Sequence, residues 1–181
     1  MSATAESMAS SSAGNSRVFV YCPDTASTDV RGYFKKKGYV CFPLNDKPAH
    51  FWELINIVSD GGVLVLLSHG DKDGPLMVAG TDGDDMTKTE VEKLGSTLAG
   101  KKVALYLLSC QTGAGEFCKT LKSTAVKFIA PIGYADVRET SVTLSVLSTN
   151  GEKDAYKTQH LGWDGNGIDP PNRINKALLI P

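Results

Sequence analysis

The chain has 181 residues, a formal net charge of −1, 41% hydrophobic residues and 22% charged residues, the profile of one ordinary globular domain. A near-neutral balance without long basic runs argues against nucleic acid or an anionic membrane as partner, and no apolar run is long enough to span a bilayer. Four cysteines, Cys22, Cys41, Cys110 and Cys118, show neither CxxC nor the paired spacing of a zinc site. A domain of this size builds its core without disulfides, so a reducing compartment, the cytoplasm, is expected.

Residues 1–16 are rich in Ser and Ala and lack an apolar signal region. They are expected to be a disordered tail ahead of a single domain over 17–181. Export by a route that needs no apolar segment stays open.

From Arg17 strand and helix signals alternate. Val18 to Cys22 is predicted as a strand, and Thr28 to Lys37 as a helix stopped by Gly38 in the left-handed position. Tyr39 to Phe42 forms a second strand. Pro48 to Ser59 forms a second helix, with Phe51, Leu54, Ile55 and Val58 on one face. Val63 to Ser68 is a buried-type strand running into His69-Gly70. A Gly-rich stretch with the short run Leu76 to Ala79 suits a small hairpin. Thr87-Lys88-Thr89-Glu90 has the form of a capping box, opening a helix with Val91, Leu94 and Leu98 inward. Val103 to Ser109 is another buried-type strand and ends at Cys110. A helix starts near Gly113, a fifth strand covers Val126 to Ile132, Val142 to Leu147 reads as strand or short helix, and Gly162 to Pro171 reads as loop. The alternation specifies an α/β fold around a mainly parallel sheet with right-handed crossovers.

The chemistry lies at two strand ends. Neighbouring strands of an open parallel sheet deliver their carboxyl-end residues to one rim, so His69 and Cys110 are expected there together, as acid–base group and nucleophile. A predicted helix start just after Cys110 would aim backbone N–H groups at the thiol. Gly113, Ala114 and Gly115 would let a substrate backbone approach. The N–H groups of Gly70 and Cys110 are the expected oxyanion hole. Either residue alone has a plainer reading: free cysteines are among the most buried residues, and a lone strand-end histidine is usually a satisfied imidazole. Their joint placement outweighs both. Two acidic loops, Asp82 to Asp85 and Asp164 to Asp169, read as solvated turns rather than calcium loops, and no metal site is expected.

Ser68-His69-Gly70 followed by Ser109-Cys110-Gln111-Thr112-Gly113 resembles the caspase-like cysteine peptidases, nearest to CHAT-type and metacaspase-like sequences. The similarity spans about Val18 to Ile132. It implies a caspase-like three-layer sandwich and a His69–Cys110 dyad that cuts peptide bonds without a cofactor. It also implies a protein or peptide substrate, and control by a regulatory partner, self-processing or oligomerisation. Ser109 stands where caspases have alanine, and Leu108 where metacaspases place an aspartate. Asp24 and Asp136, on loops expected at the first specificity pocket, would favour a basic residue at the cleaved bond, with Ser109 as a further substrate contact; turn roles are the plainer reading of both acids. Arg138 nearby would reverse that preference. Segments 135–139 and 149–153 are the expected self-cleavage loops. The alternatives are a caspase-like pseudoenzyme and a flavodoxin-like binding or signalling module.

Overall fold

A computed structural model of the chain describes residues 15–140, 143–152, 154, 156–171 and 177–181. The expected tail, apart from Asn15 and Ser16, lies outside the described residues, as do Val142 and Lys153. The elements run β1 (Arg17–Tyr21), α1 (Thr28–Lys36), β2 (Val40–Pro43), α2 (Pro48–Ile57), β3 (Val63–Leu67), β4 (Gly70–Asp71), β5 (Gly74–Pro75), α3 (Lys88–Gly100), β6 (Ala104–Leu107), α4 (Glu116–Lys122), β7 (Lys127–Pro131), β8 (Tyr134–Glu139), β9 (Leu144–Thr149), β10 (Trp163–Asn166) and β11 (Ala177–Leu179).

Local chemistry fixes several helix ends. The Ser27 side chain accepts the Val30 N–H at the start of α1, satisfying one of its orphan donors. Gly38 follows at φ 86°, where a side chain would be strained. Thr87 and Glu90 make both bonds of the capping box at α3, and Pro48 occupies the first turn of α2, where a missing N–H costs nothing.

The main sheet has the order β10-β7-β6-β3-β1-β2. β2, β1, β3, β6 and β7 pair in parallel, and β10 joins β7 antiparallel. A smaller antiparallel sheet, β11-β9-β8, stands apart. The period-2 alternation of β1 shows how the layers form. Val18 and Val20 face a core shared with Phe51, Leu54, Leu94, Leu98, Phe117 and Leu121 from α2, α3 and α4. Phe19 and Tyr21 face a second core with Val30 and Phe34 of α1 and with Leu144, Val146 and Leu178 of the smaller sheet. The chain is thus an α/β domain whose mainly parallel sheet is covered on both faces.

The expected small hairpin after the third strand is β4-β5, over 70–75, and two expectations differ. Gly162 to Pro171 contains β10, an edge strand of the main sheet. Its Trp-Asp-Gly-Asn sequence hides the strand, because Gly165 is needed where a Cβ would lie 2.1 Å from the Phe128 carbonyl oxygen. Residues 135–139 are not a loop but most of β8, paired to β9 along its length.

Candidate active site

The order of the sheet places the site. The chain adds β2 on one side of β1 and then returns to add β3 on the other. The crevice beyond the carboxyl ends of β1 and β3 is therefore a topological switch point, where open α/β sheets bind ligands. Asp24 follows β1 and His69 follows β3. The parallel register pairs Leu66 with Leu107, and the pairing continues past the strands. Ser68 N–H donates to Ser109 Oγ at 3.3 Å, and the two hydroxyls are 3.0 Å apart. His69 and Cys110 are the next residues after these adjacent strands.

Backbones approach closely here. A Cβ on Gly70 would lie 2.9 Å from Ser109 Cβ and 3.2 Å from Thr112 Cγ2, so only glycine lets the two rims meet. Gln111, after Cys110, holds φ 58°, a left-handed conformation uncommon for a non-glycine residue and frequent at functional turns. Its N–H donates to the Gly133 carbonyl, and the Gly113 N–H to the Pro131 carbonyl. These bonds fasten the turn to the end of β7. The Cys110 N–H is in neither bond.

The imidazole and the thiol face different neighbours. His69 Nε2 lies 2.9 Å from Asp24 Oδ2, with the His69 side chain 36% exposed and that of Asp24 52%. Asp24 Oδ1 accepts the Cys22 thiol at 2.6 Å. The hydrogen bond from Cys22, and next that from His69, hold the Asp24 carboxyl below its ordinary range. Burial, reinforced by the Asp24 bond, pushes the Cys22 thiol up. Cys22 Sγ, an Asp24 oxygen and a His69 ring nitrogen lie within 4.8 Å of one another. Cys110, half-buried, instead lines a cavity of about 770 Å³ with Tyr134, Asp136, Arg138, Asn150 and His160 among its walls. Among the described residues the hydrogen-bond partner of His69 is Asp24, not Cys110.

Several expected roles change. Asp24 does not line the cavity; it is the partner of His69. Asp136 does line it, but its Oδ2 is gripped by both Nε and Nη2 of Arg138 at 3.0 Å, so it offers no free charge for a basic side chain. Ser109 is fully buried and ties strand ends together instead of meeting a substrate. Helix α4 begins at Glu116, and its cap Gly115 makes no side-chain bond, so Cys110 is not at a helix N-terminus. Gly113 and Gly115 accommodate the protein's own backbone: a Cβ on either would lie 2.6 Å from a carbonyl oxygen, of Ala130 and Lys72 respectively.

Two side chains near the site were not expected there: Cys22 reads as a core thiol, and His160 as no rival to His69. Cys22 carries no local signal, since it closes an apolar strand and meets His69 only through the sheet order. His160 sits in a weakly patterned segment, yet it lines the cavity and its Nδ1 is buried without a hydrogen-bond partner among the described residues.

No family model matches the chain, and neither does any curated protein. The solved structures similar to it include an aromatic-amino-acid aminotransferase from Burkholderia pseudomallei covalently bound to pyridoxal phosphate, at 12% identity and TM-score 0.40, covering 67% of this chain and 34% of that one. An aromatic amino acid aminotransferase from Burkholderia cenocepacia J2315 matches at 15% identity and TM-score 0.40, covering 66% and 33%. An aspartate aminotransferase from Trypanosoma cruzi matches at 12% identity and TM-score 0.41, covering 64% and 31%. The chain spans about a third of the length of these structures.

These findings correct the expected family. The solved structures named above are aminotransferases, not caspase-like peptidases, and no family model or curated protein supports a caspase-like cysteine endopeptidase with a protein substrate and self-processing. Likeness at this level carries no argument for transamination either. No helix among the described residues is long and apolar enough to cross a membrane.

Proposed function

We propose that the chain is an enzyme that transfers an acyl group from a small, polar, activated donor, an ester or thioester, through a covalent adduct on Cys110. The observation that carries this reading is the continuation of the β3–β6 register through the Ser68–Ser109 pair, which brings positions 69 and 110 to neighbouring strand ends, with Cys110 in the wall of a cavity.

The thiolate of Cys110 attacks the donor carbonyl, forming a carbon–sulfur bond as the leaving alcohol or thiol departs. Asp24 occupies His69 Nε2, which leaves Nδ1 to take the thiol proton and return it to the leaving group. An acceptor nucleophile then attacks the thioester, giving its proton to the same nitrogen, and Cys110 is regenerated. The N–H groups of Gly70 and Cys110 are the donors for the oxyanion. The Asp136–Arg138 pair supplies polar contacts for a donor in the cavity.

The experiment is steady-state release of thiol from short-chain acyl thioesters bearing a polar leaving group. Cys110→Ala is expected to abolish turnover, and His69→Ala to lower kcat/KM by about 10²–10⁴, the range of a general acid–base group. Unchanged turnover in Cys110→Ala, or no turnover by the wild type across the donor series, defeats the proposal.

A further inference from the structure

The other side of His69 offers a second kind of chemistry. Two protic donors, the Cys22 thiol at 2.6 Å and the His69 ring nitrogen at 2.9 Å, converge on the two oxygens of one carboxylate, Asp24. That arrangement has a simple substitute. A dication placed among the three groups satisfies sulfur, oxygen and nitrogen together once the thiol proton leaves and the His69 ring proton shifts to Nδ1.

We propose that Cys22, Asp24 and His69 form a three-ligand zinc site whose fourth position is open to water or an anion. The donor set argues for zinc: thiolate and imidazole suit a borderline-soft ion, whereas calcium and magnesium seek all-oxygen shells. The surroundings support the ligands. The Gly80 N–H donates to Cys22 Sγ at 3.3 Å, a contact that strengthens as the sulfur becomes anionic. The Thr25 hydroxyl bonds the carbonyls of Cys22 at 2.9 Å and Leu67 at 3.3 Å, and the Cys22 N–H bonds Leu67 at 2.8 Å, so the ends of β1 and β3 are fixed relative to each other. These are the outer contacts that hold metal ligands in place. Zinc bonds of about 2.0–2.3 Å set ligand atoms roughly 3.3–3.8 Å apart in a tetrahedron. Asp24, on an exposed turn, has to withdraw by about 1 Å to open that space, and the solvent side of Asp24 and His69 leaves the fourth position accessible.

The site itself does not depend on acyl transfer. Only its consequence does: zinc would take His69 out of proton transfer, so metal occupancy and turnover would compete.

The test is titration of the reduced, metal-free full chain with cobalt(II), which reports a thiolate ligand by a near-ultraviolet charge-transfer band and tetrahedral geometry by visible bands. One cobalt per chain with both features, displaced by zinc, is expected. Cys22→Ser should lose the charge-transfer band. Asp24→Asn and His69→Gln should weaken binding by at least the 10–100-fold that loss of even an outer contact costs. Cys110→Ala, which eliminates the proposed acyl transfer, should leave the cobalt spectrum intact, so the two proposals fail separately. If Cys22→Ser does not fold, the surface variant Asp24→Asn decides. No band in the wild type, a band surviving in folded Cys22→Ser, undiminished affinity in Asp24→Asn, or a band lost in Cys110→Ala overturns the site.

Discussion

Replacing Ser109 by alanine tests whether the buried serine pair locks the two strand ends in register. Ser109 is 0% exposed, accepts the Ser68 N–H at 3.3 Å and shares a 3.0 Å hydroxyl–hydroxyl bond with Ser68. In Ser109→Ala the Ser68 hydroxyl keeps the His69 carbonyl, 3.1 Å away. The Ser68 N–H is left buried without an acceptor, a loss of about 1–3 kcal/mol. For a domain of this size each kcal/mol lowers Tm by roughly 2–4 °C. Taking the middle of the range, the variant should melt about 4–8 °C below the wild type in calorimetry at pH 7. A cycle with Ser68→Ala and the double variant should show a coupling of about 0.5 kcal/mol or more, as contacting residues do. A Ser109→Ala protein within about 0.5 kcal/mol of wild type, the range of unimportant surface changes, or strict additivity in the cycle would refute the reasoning.

Iodoacetamide at pH 8 should modify Cys110 ahead of the other thiols in peptide mapping, because burial pushes Cys41 up, burial and the Asp24 bond push Cys22 up, and burial pushes Cys118 up to about 11; early labelling of buried Cys118 would count against this. Asp24 is held below its ordinary value, so its contribution to stability is complete above the unfolded carboxyl value of about 3.9 and fades as pH falls through the folded value. The Tm difference between wild type and Asp24→Asn should therefore be constant from pH 7 to about 5 and shrink below about 4; a difference unchanged at low pH contradicts the pairing. Tyr39 has the opposite sign: burial raises its phenol to about 12, so the stability it gives is complete below about 10 and lost as pH rises through the folded value. Tyr39→Phe should remove that alkaline loss, at the cost of the 2.7 Å bond from its hydroxyl to the Pro181 carbonyl.

Much of the frame was legible because its signals are local. The capping box at Thr87–Glu90, Gly38 after α1 and the apolar runs of β1, β3 and β6 each follow from short stretches of chain, and the Ser-His and Ser-Cys strand ends mark one rim. What the sequence concealed depends on contacts between distant segments. Cys22 and Asp24 reach His69 only because β1 and β3 are neighbours. Ser109 is buried because Ser68 sits opposite it, and β10 is a strand because β7 offers an edge that a Gly-containing segment fits. Gly113 looked like room for a substrate, but the space is taken by the backbone of Ala130. The family expectation went wrong in a different way, by extending two short motifs to a whole activity.

The most direct test of the account is intact-mass analysis of the wild-type chain mixed rapidly with an acyl thioester and quenched in acid. One acyl adduct per chain, mapped to Cys110, slowed in His69→Ala and missing in Cys110→Ala, is the predicted result. An unmodified wild-type chain, or an adduct that persists in Cys110→Ala, would contradict it.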